Sequence, residues 1–461
     1  MSLPHPSPLP SFWTSSPDTL RNHRTTDVLP ETADVVVVGS GYSGAATSYF
    51  LLRNPEARLS TVILEAREAC SGASGRNGGH LKPDPHFAIS RWQRRYGLKV
   101  AKEMSEFEMR QVWDVKKLIE DEKIRCDFEL TRAMDVFVDE RSAKPAIEAY
   151  LQLQRSGFEF SPDLQVILEP ERAERISGVR GALAAFTYTA GSVWVLKLVY
   201  HLLRRCLEWG ANLQTNTPAL SISPSRDSEG YYAVETTRGV IRARNIVVAT
   251  NAHTGALLPE FQGKITPVRG VAARIAIPAG KDKTPHLNNT YSIRFGPEEY
   301  DYLIPRSDGS IIVGGAKQVV LSDDSNWLGN SNDSELIPGA EEYFTGYMQR
   351  HFRGWESSDA RVTHLWTGTM GFSEDLAPWV GELPGKPGVF VEAGFTAHGM
   401  PLIYGCAEAI AKLVRGDIQH ISDEDAQIPS PLWITPARLN TQLRLAREHM
   451  LGNRAKELAK L

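Results

Sequence analysis

Asp34-Val-Val-Val-Val-Gly-Ser-Gly-Tyr-Ser-Gly44 is the stretch on which the reading of this chain turns. A continuous β-branched run that ends in glycines reads as a buried parallel strand, since a half-exposed strand would alternate polar and apolar positions. Gly39, Gly41 and Gly44 then spell G-x-G-x-x-G where the strand ends and a helix over 43–52 is expected. There the first glycine permits the tight turn, the second lets backbone approach a pyrophosphate, and the third lets the helix pack closely on the strand. The helix N-terminus at Tyr42 and Ser43 offers free N–H groups and about half a positive charge to phosphates.

A second strand, Ser60-Thr-Val-Ile-Leu-Glu65, completes a βαβ unit. Glu65 stands roughly 20 residues beyond the glycines, where a carboxylate accepts both ribose hydroxyls and repels a 2′-phosphate. The fingerprint therefore predicts a dinucleotide without that phosphate, and does not by itself separate FAD from NAD. Three segments favour FAD. Gly72-Ala-Ser-Gly-Arg-Asn-Gly-Gly79 is a second glycine-rich loop, whose Gly75, Arg76, Gly78 and Gly79 backbone can approach pyrophosphate and flavin, with Ser74 and Asn77 as donors. Ala249-Thr-Asn-Ala252 ends a buried strand, where Ala249 and Thr250 can line an adenine pocket; Ala219 is assigned to the cofactor as well. Gly394-Phe-Thr-Ala-His-Gly-Met400 precedes an apolar helix opened by Pro401, whose N-terminus would face the flavin N1–C2=O edge.

Composition sets the outer limits. With 461 residues the chain should hold two or more domains, and 42% hydrophobic with 23% charged residues is ordinary for a globular protein. A formal net charge of -4 gives no basic surface for nucleic acid. Four scattered cysteines support neither a zinc site nor a disulfide framework. The Pro- and Ser-rich arm, residues 1–30, lacks the apolar core of a secretory signal and is expected to be irregular and surface-bound. No apolar run is long enough for a membrane span. Further along, helices are expected over 92–120, 143–154 and 196–207, strands over 131–138, 212–223, 231–238 and 240–250, and an antiparallel sheet over 265–316. Parallel-type strands at the start, middle and end predict a discontinuous nucleotide domain with a second domain inserted in pieces.

With Leu64-Glu-Ala66, Trp366-Thr-Gly-Thr369 and Pro378-Trp-Val-Gly381 added, the chain resembles the D-amino-acid oxidase/glycine oxidase superfamily over residues 31–416, and within it the γ-glutamylputrescine oxidase branch. The resemblance implies an α/β fold: a discontinuous Rossmann-type FAD-binding domain over 31–90, 171–260 and 365–420, and an α+β substrate domain on an antiparallel sheet over 91–170 and 261–364. Residues 421–461 form a C-terminal extension. Ala66, Phe395, Thr396 and Gly399 join the FAD contacts by the same likeness. It further implies oxidation of a C–N bond of a small amine or amino acid to an imine, with O2 reoxidising the flavin to hydrogen peroxide.

Three residues are the catalytic candidates: His398 in the flavin-facing turn, Trp366 as a pocket wall, and Tyr302 where related sarcosine oxidases place a pocket tyrosine. Arg306 reads as a solvated turn arginine or a partner for a substrate carboxylate. The positions that carry covalent flavin in relatives hold His364 and Arg76, neither the expected ligand, so FAD is expected to be non-covalent. Val313 stands about where sarcosine oxidases carry an oxygen-activating lysine, with Lys317 the nearest candidate. This leaves open a flavin dehydrogenase with another acceptor, and a dinucleotide-binding protein without turnover. The terminal Ala459-Lys460-Leu461 is a close variant of the peroxisomal address, so the expected location is peroxisomal, otherwise cytoplasmic.

Overall fold

The computed structural model describes residues 3–278, 284–297, 299–320 and 323–441. The quoted stretch forms the strand Thr32–Val38, with Val35, Val36 and Val37 at 0% exposure. It lies at the middle of an eight-stranded sheet, parallel to Thr61–Leu64 on one side and Gly239–Val248 on the other. Asn212–Gln214 and Val389–Ala393 extend the parallel set outward. Helices cover the sheet, which is why the strand is apolar throughout rather than alternating. The helix Tyr42–Leu52 is itself buried at every position, wedged between the helices Val195–Glu208 and Ile403–Arg415. Its small first residues, Ser43, Gly44, Ala45 and Ala46, make that close packing possible. Because the chain leaves Thr32–Val38 for one side and returns on the other, a crevice opens beyond its carboxyl end.

The second sheet has nine strands and is antiparallel except where Glu129–Phe137 runs parallel to Thr290–Arg294. Its longest pair, Ile265–Ala276 and Arg361–Ser373, faces the first sheet's crevice. One apolar core runs through both sheets, joining Val35, Val37 and Ile63 to Ala272, Ile304, Ile312 and Trp366.

Several expectations need correction. The helix expected over 92–120 is two, Ile89–Tyr96 and Leu98–Asp121, broken at Gly97 with φ +87. The strand expected over 212–223 is two short ones, Asn212–Gln214 and Ala219–Ile222, in the same sheet but not paired to each other, with Asn216 left-handed at φ +49. Pro401 precedes the last long helix, which begins at Ile403. His80–Leu81, Ala184–Ser192 and Arg361–Ser373 pair in the antiparallel sheet, whereas residues 80–81, 184–192 and 365–373 of these were expected in the nucleotide domain. Their partners are distant along the chain, so local pattern carries no trace of the pairing.

The N-terminal arm is largely irregular, as expected, but it is not confined to the surface: Phe12 and Trp13 are buried in a short turn of helix. Beyond residue 420, Trp433 bridges Val380, and a one-turn helix Pro436–Asn440 follows. The terminal tripeptide read as an address lies outside the described residues. Among the described residues no helix is long and apolar enough to cross a membrane.

Candidate active site

A cavity of about 540 Å³ opens at the crevice and continues to the antiparallel sheet. Its first end is built by the glycine turn. Gly39 has φ +110, and a side chain there would bring Cβ within 2.6 Å of the Ala249 carbonyl. At Gly44 a Cβ would lie 1.9 Å from the Gly39 carbonyl, so the helix could not approach the strand. The helix Tyr42–Leu52 starts at Gly41 with no side-chain cap and no acidic residue in its first turn, leaving its positive end to the cavity. Glu65 stands at the wall, its Oε2 accepting from Ser40 N (3.1 Å) and Oγ (2.7 Å) and its Oε1 from Arg67 N (3.0 Å). A cradle that a Cβ would fill, a helix N-terminus with no acidic residue in its first turn and an oriented carboxylate fit FAD.

The loop over 72–79 flanks this turn and is tied to it: Tyr42 N donates to Ser74 Oγ at 2.9 Å. Arg76 Cβ and backbone lie against Gly368. The Arg76 guanidinium reaches the Thr367 carbonyl at 2.7 Å, the Ser71 carbonyl at 3.0 Å and the Leu9 carbonyl, and pairs with buried Asp333 at 3.3 Å. Burial, with Arg67 beside it, lowers its pKa to about 10 despite Asp333. Trp366 does not line the cavity; fully buried, it donates Nε1–H to the Arg76 carbonyl at 2.9 Å. It is a packing residue that holds the loop from behind rather than a pocket wall.

At the far end, Thr396 and Ala397 both adopt positive φ, +52 and +59, in the turn that presents His398. Such a turn persists only where its surroundings enforce it; here Thr396 N donates to the Gly371 carbonyl at 2.8 Å and Gly394 N to Asn251 Oδ1 at 3.0 Å. His398 Nε2 meets Glu108 Oε2 at 2.7 Å. Burial works against the imidazolium, but Glu108 outweighs it and raises the His398 pKa. Tyr302 lies between two glycines: a Cβ at Gly78 would be 2.5 Å from its ring, and one at Gly314 2.2 Å from its hydroxyl.

Charges that were not foreseen complete this end. Asp135, at 0% exposure on the sheet, gathers His86 (2.8 Å), Tyr188 (3.0 Å), Lys82 (3.3 Å) and Arg294 (3.9 Å). Burial would raise its pKa, but Lys82, His86 and Arg294 hold it well below the ordinary carboxylate value. Lys82 and Arg294 both line the cavity. Arg294 is 8% exposed, lies 3.7 Å over the Phe87 ring, and its Nε–H has no acceptor among the described residues. His80, on the same wall, is lowered to about 3 by burial and Lys82, and is neutral.

Of the residues expected to hold the cofactor, all line the cavity except Gly44, Gly75, Gly79 and Gly394, which shape the backbone behind it. His398 and Tyr302 line it too. Arg306 is neither solvated nor in the cavity: it is 6% exposed, pairs with Asp127 at 3.0 Å and lies over the Trp13 ring at 5.1 Å. His364 is exposed, off the cavity, and packs on Phe12. Val313 is buried in the core behind the sheet, whereas Lys317 lines the cavity. A signal for the missed charges existed: Asp135 interrupts the apolar strand run Ala133-Met-Asp-Val-Phe137, and a charge there must be paired.

Comparison with known proteins identifies the family and the fold. The family model described as FAD dependent oxidoreductase (DAO) matches residues 34–413. A gamma-glutamylputrescine oxidoreductase of Escherichia coli K12 is 24% identical over 422 residues, 86% of this chain and 87% of that protein. A probable oxidoreductase, OrdL, of Rhizobium meliloti is 25% identical over 397 residues, 83% of each. The crystal structure of glycine oxidase from Geobacillus kaustophilus superimposes with a TM-score of 0.67 at 22% identity, covering 84% of this chain and 95% of that one.

Proposed function

The chain belongs to the DAO family of FAD-dependent oxidoreductases, and we propose that it oxidises the C–N bond of an amine or amino acid to an imine, with O2 as the electron acceptor. The observation that carries this reading is a single cavity running from the glycine cradle to a pocket walled by His398, Tyr302 and Arg294. Held by the glycine turn and the 72–79 loop, FAD would supply the redox chemistry, taking a hydride with its two electrons from the carbon bearing the nitrogen and passing the electrons to O2 as hydrogen peroxide, while water would hydrolyse the imine.

The chain's own residues orient and tune. Tyr302, fixed between Gly78 and Gly314, keeps the substrate against one wall. Glu108, hydrogen-bonded to His398, raises its pKa, and the protonated imidazole beside the flavin-facing turn would favour negative charge developing there. Arg294 and Lys82, tethered through Asp135, offer a carboxylate two donors at the cavity wall, which favours amino acids over simple amines. Neither His364, away from the cavity, nor Arg76, engaged with Asp333, supplies a flavin-linking nucleophile, which supports non-covalent FAD.

Purified protein should be yellow, lose that colour anaerobically with a suitable amino acid, and release peroxide on aeration. Protein that takes up no flavin sinks the reading. Valine at position 313, with its side chain in the core, favours a second one, a dehydrogenase with another acceptor. Substrate-dependent dye reduction with negligible oxygen uptake would select it.

A further inference from the structure

A Rossmann unit is complete without anything before its first strand, yet the arm preceding Thr32 reaches into the site. Three alternate arm residues meet three consecutive loop residues. Leu9 accepts through its carbonyl from the Arg76 guanidinium, while its N–H donates to the Asp333 carbonyl at 2.8 Å. Ser11 Oγ donates to the Gly75 carbonyl at 2.7 Å. Trp13 Nε1 donates to the Asn77 carbonyl at 2.5 Å. Ser11 and Trp13 are each 1% exposed, and the Trp13 ring lies where a Cβ at Gly79 would come within 3.2 Å of it. Phe12 and Trp13 are anchored in turn on Trp194, at ring separations of 5.0 and 5.4 Å. The opposite side of the same loop, at Ser74, Arg76, Asn77 and Gly78, faces the cavity.

We propose that Leu9, Ser11 and Trp13 are positioning residues for FAD: the arm fixes the back of the 72–79 loop so that its front is already shaped for the cofactor. The inference rests on the reading that this loop contacts FAD. Four of the eight loop residues are glycine, and glycine loses more freedom on ordering than any other residue. Without the arm, ordering that backbone is charged against cofactor binding; with it, the loop is set beforehand and the cofactor binds more tightly. By linkage, FAD must hold the arm down as firmly as the arm favours FAD.

The test is a Ser11→Ala/Trp13→Phe double variant, which keeps an apolar aromatic side chain at position 13 but removes both donors to the loop. The dissociation constant of FAD from apoprotein, read by quenching of flavin fluorescence, should rise about 10- to 30-fold. The melting temperature of the apoprotein should stay within a few degrees of wild type. An affinity within twofold of wild type overturns the proposal, as does an affinity loss matched by a collapse of the apoprotein. A second measurement needs no variant: chymotryptic cleavage after Phe12 or Trp13 in wild-type protein should slow on adding FAD, and an unchanged rate with FAD bound overturns the proposal too. Wild-type protein that fails to bind FAD refutes the cofactor reading itself, a result distinct from protein that binds FAD with an indifferent arm.

Discussion

At the scale of the residue, the proposed recognition of a substrate carboxylate is tested at Arg294, which lines the cavity. A guanidinium at 8% exposure with one N–H unmatched is costly unless a ligand supplies the missing acceptor. Asp135 neutralises part of its charge from 3.9 Å and is shared with Lys82, while Asp84 and Glu108 line the same cavity. Arg294→Met keeps the stem over the Phe87 ring and removes the donors. With an amino acid, kcat/KM for flavin reduction should fall on the order of 10²–10³-fold, as for loss of one partner of a buried charge pair. With the matching decarboxylated amine it should change by only a few-fold. Arg294→Lys should restore part of the loss. Equal losses on both substrates would mean that Arg294 supports the fold of the pocket and recognises nothing.

At the scale of the element, the strand Val389–Ala393 carries a second buried acid. Glu392 is at 0% exposure, accepts from Thr47 Oγ1 at 2.9 Å on the helix Tyr42–Leu52, and is raised by burial to about 8. The folded chain therefore keeps a proton that the unfolded chain releases near 4.5. Stability from this group is complete below about 4.5 and is lost as pH rises through about 8. Glu392→Gln abolishes the titration while preserving shape, so the variant should gain on wild type by on the order of a few kcal/mol between pH 5 and pH 8. Denaturant midpoints at the two pH values would show it, and parallel slopes for the two proteins would refute it. The same strand illustrates what the sequence could reveal. Its apolar run announced a buried parallel strand, as did Asp34 to Val38, because both faces are covered and no register is needed to see that. The placement of Ala184–Ser192 beside Glu129–Phe137 was not legible, since it depends on partners some fifty residues away. The site divided in the same way. Gly39, Gly41, Gly44 and Glu65 act through local backbone and could be read, whereas Arg294, Lys82 and Glu108 converge only when the second sheet closes over the first.

At the scale of the molecule, the cavity takes its walls from residues as far apart as Pro4 and Ile403, and both sheets contribute to it. The glycine turn of the parallel sheet and Tyr302 of the antiparallel sheet both line it, so a cofactor filling the cavity would meet both sheets. The shared core at Ile304, Ile312 and Trp366 already joins the sheets, so the chain should melt in one transition, and FAD should shift all of it. A ligand that binds only the folded state adds about 1.4 kcal/mol per tenfold excess over its dissociation constant. For a chain of this size that is roughly 1–2 °C per decade of FAD. NADP+ should give no comparable shift, because Glu65 meets its 2′-phosphate with a like charge. A calorimetric titration with each nucleotide tests both statements at once. Two transitions of which only one answers to FAD would mean that the cofactor stays on the parallel sheet. An equal response to NADP+ would mean that Glu65 does not read the ribose.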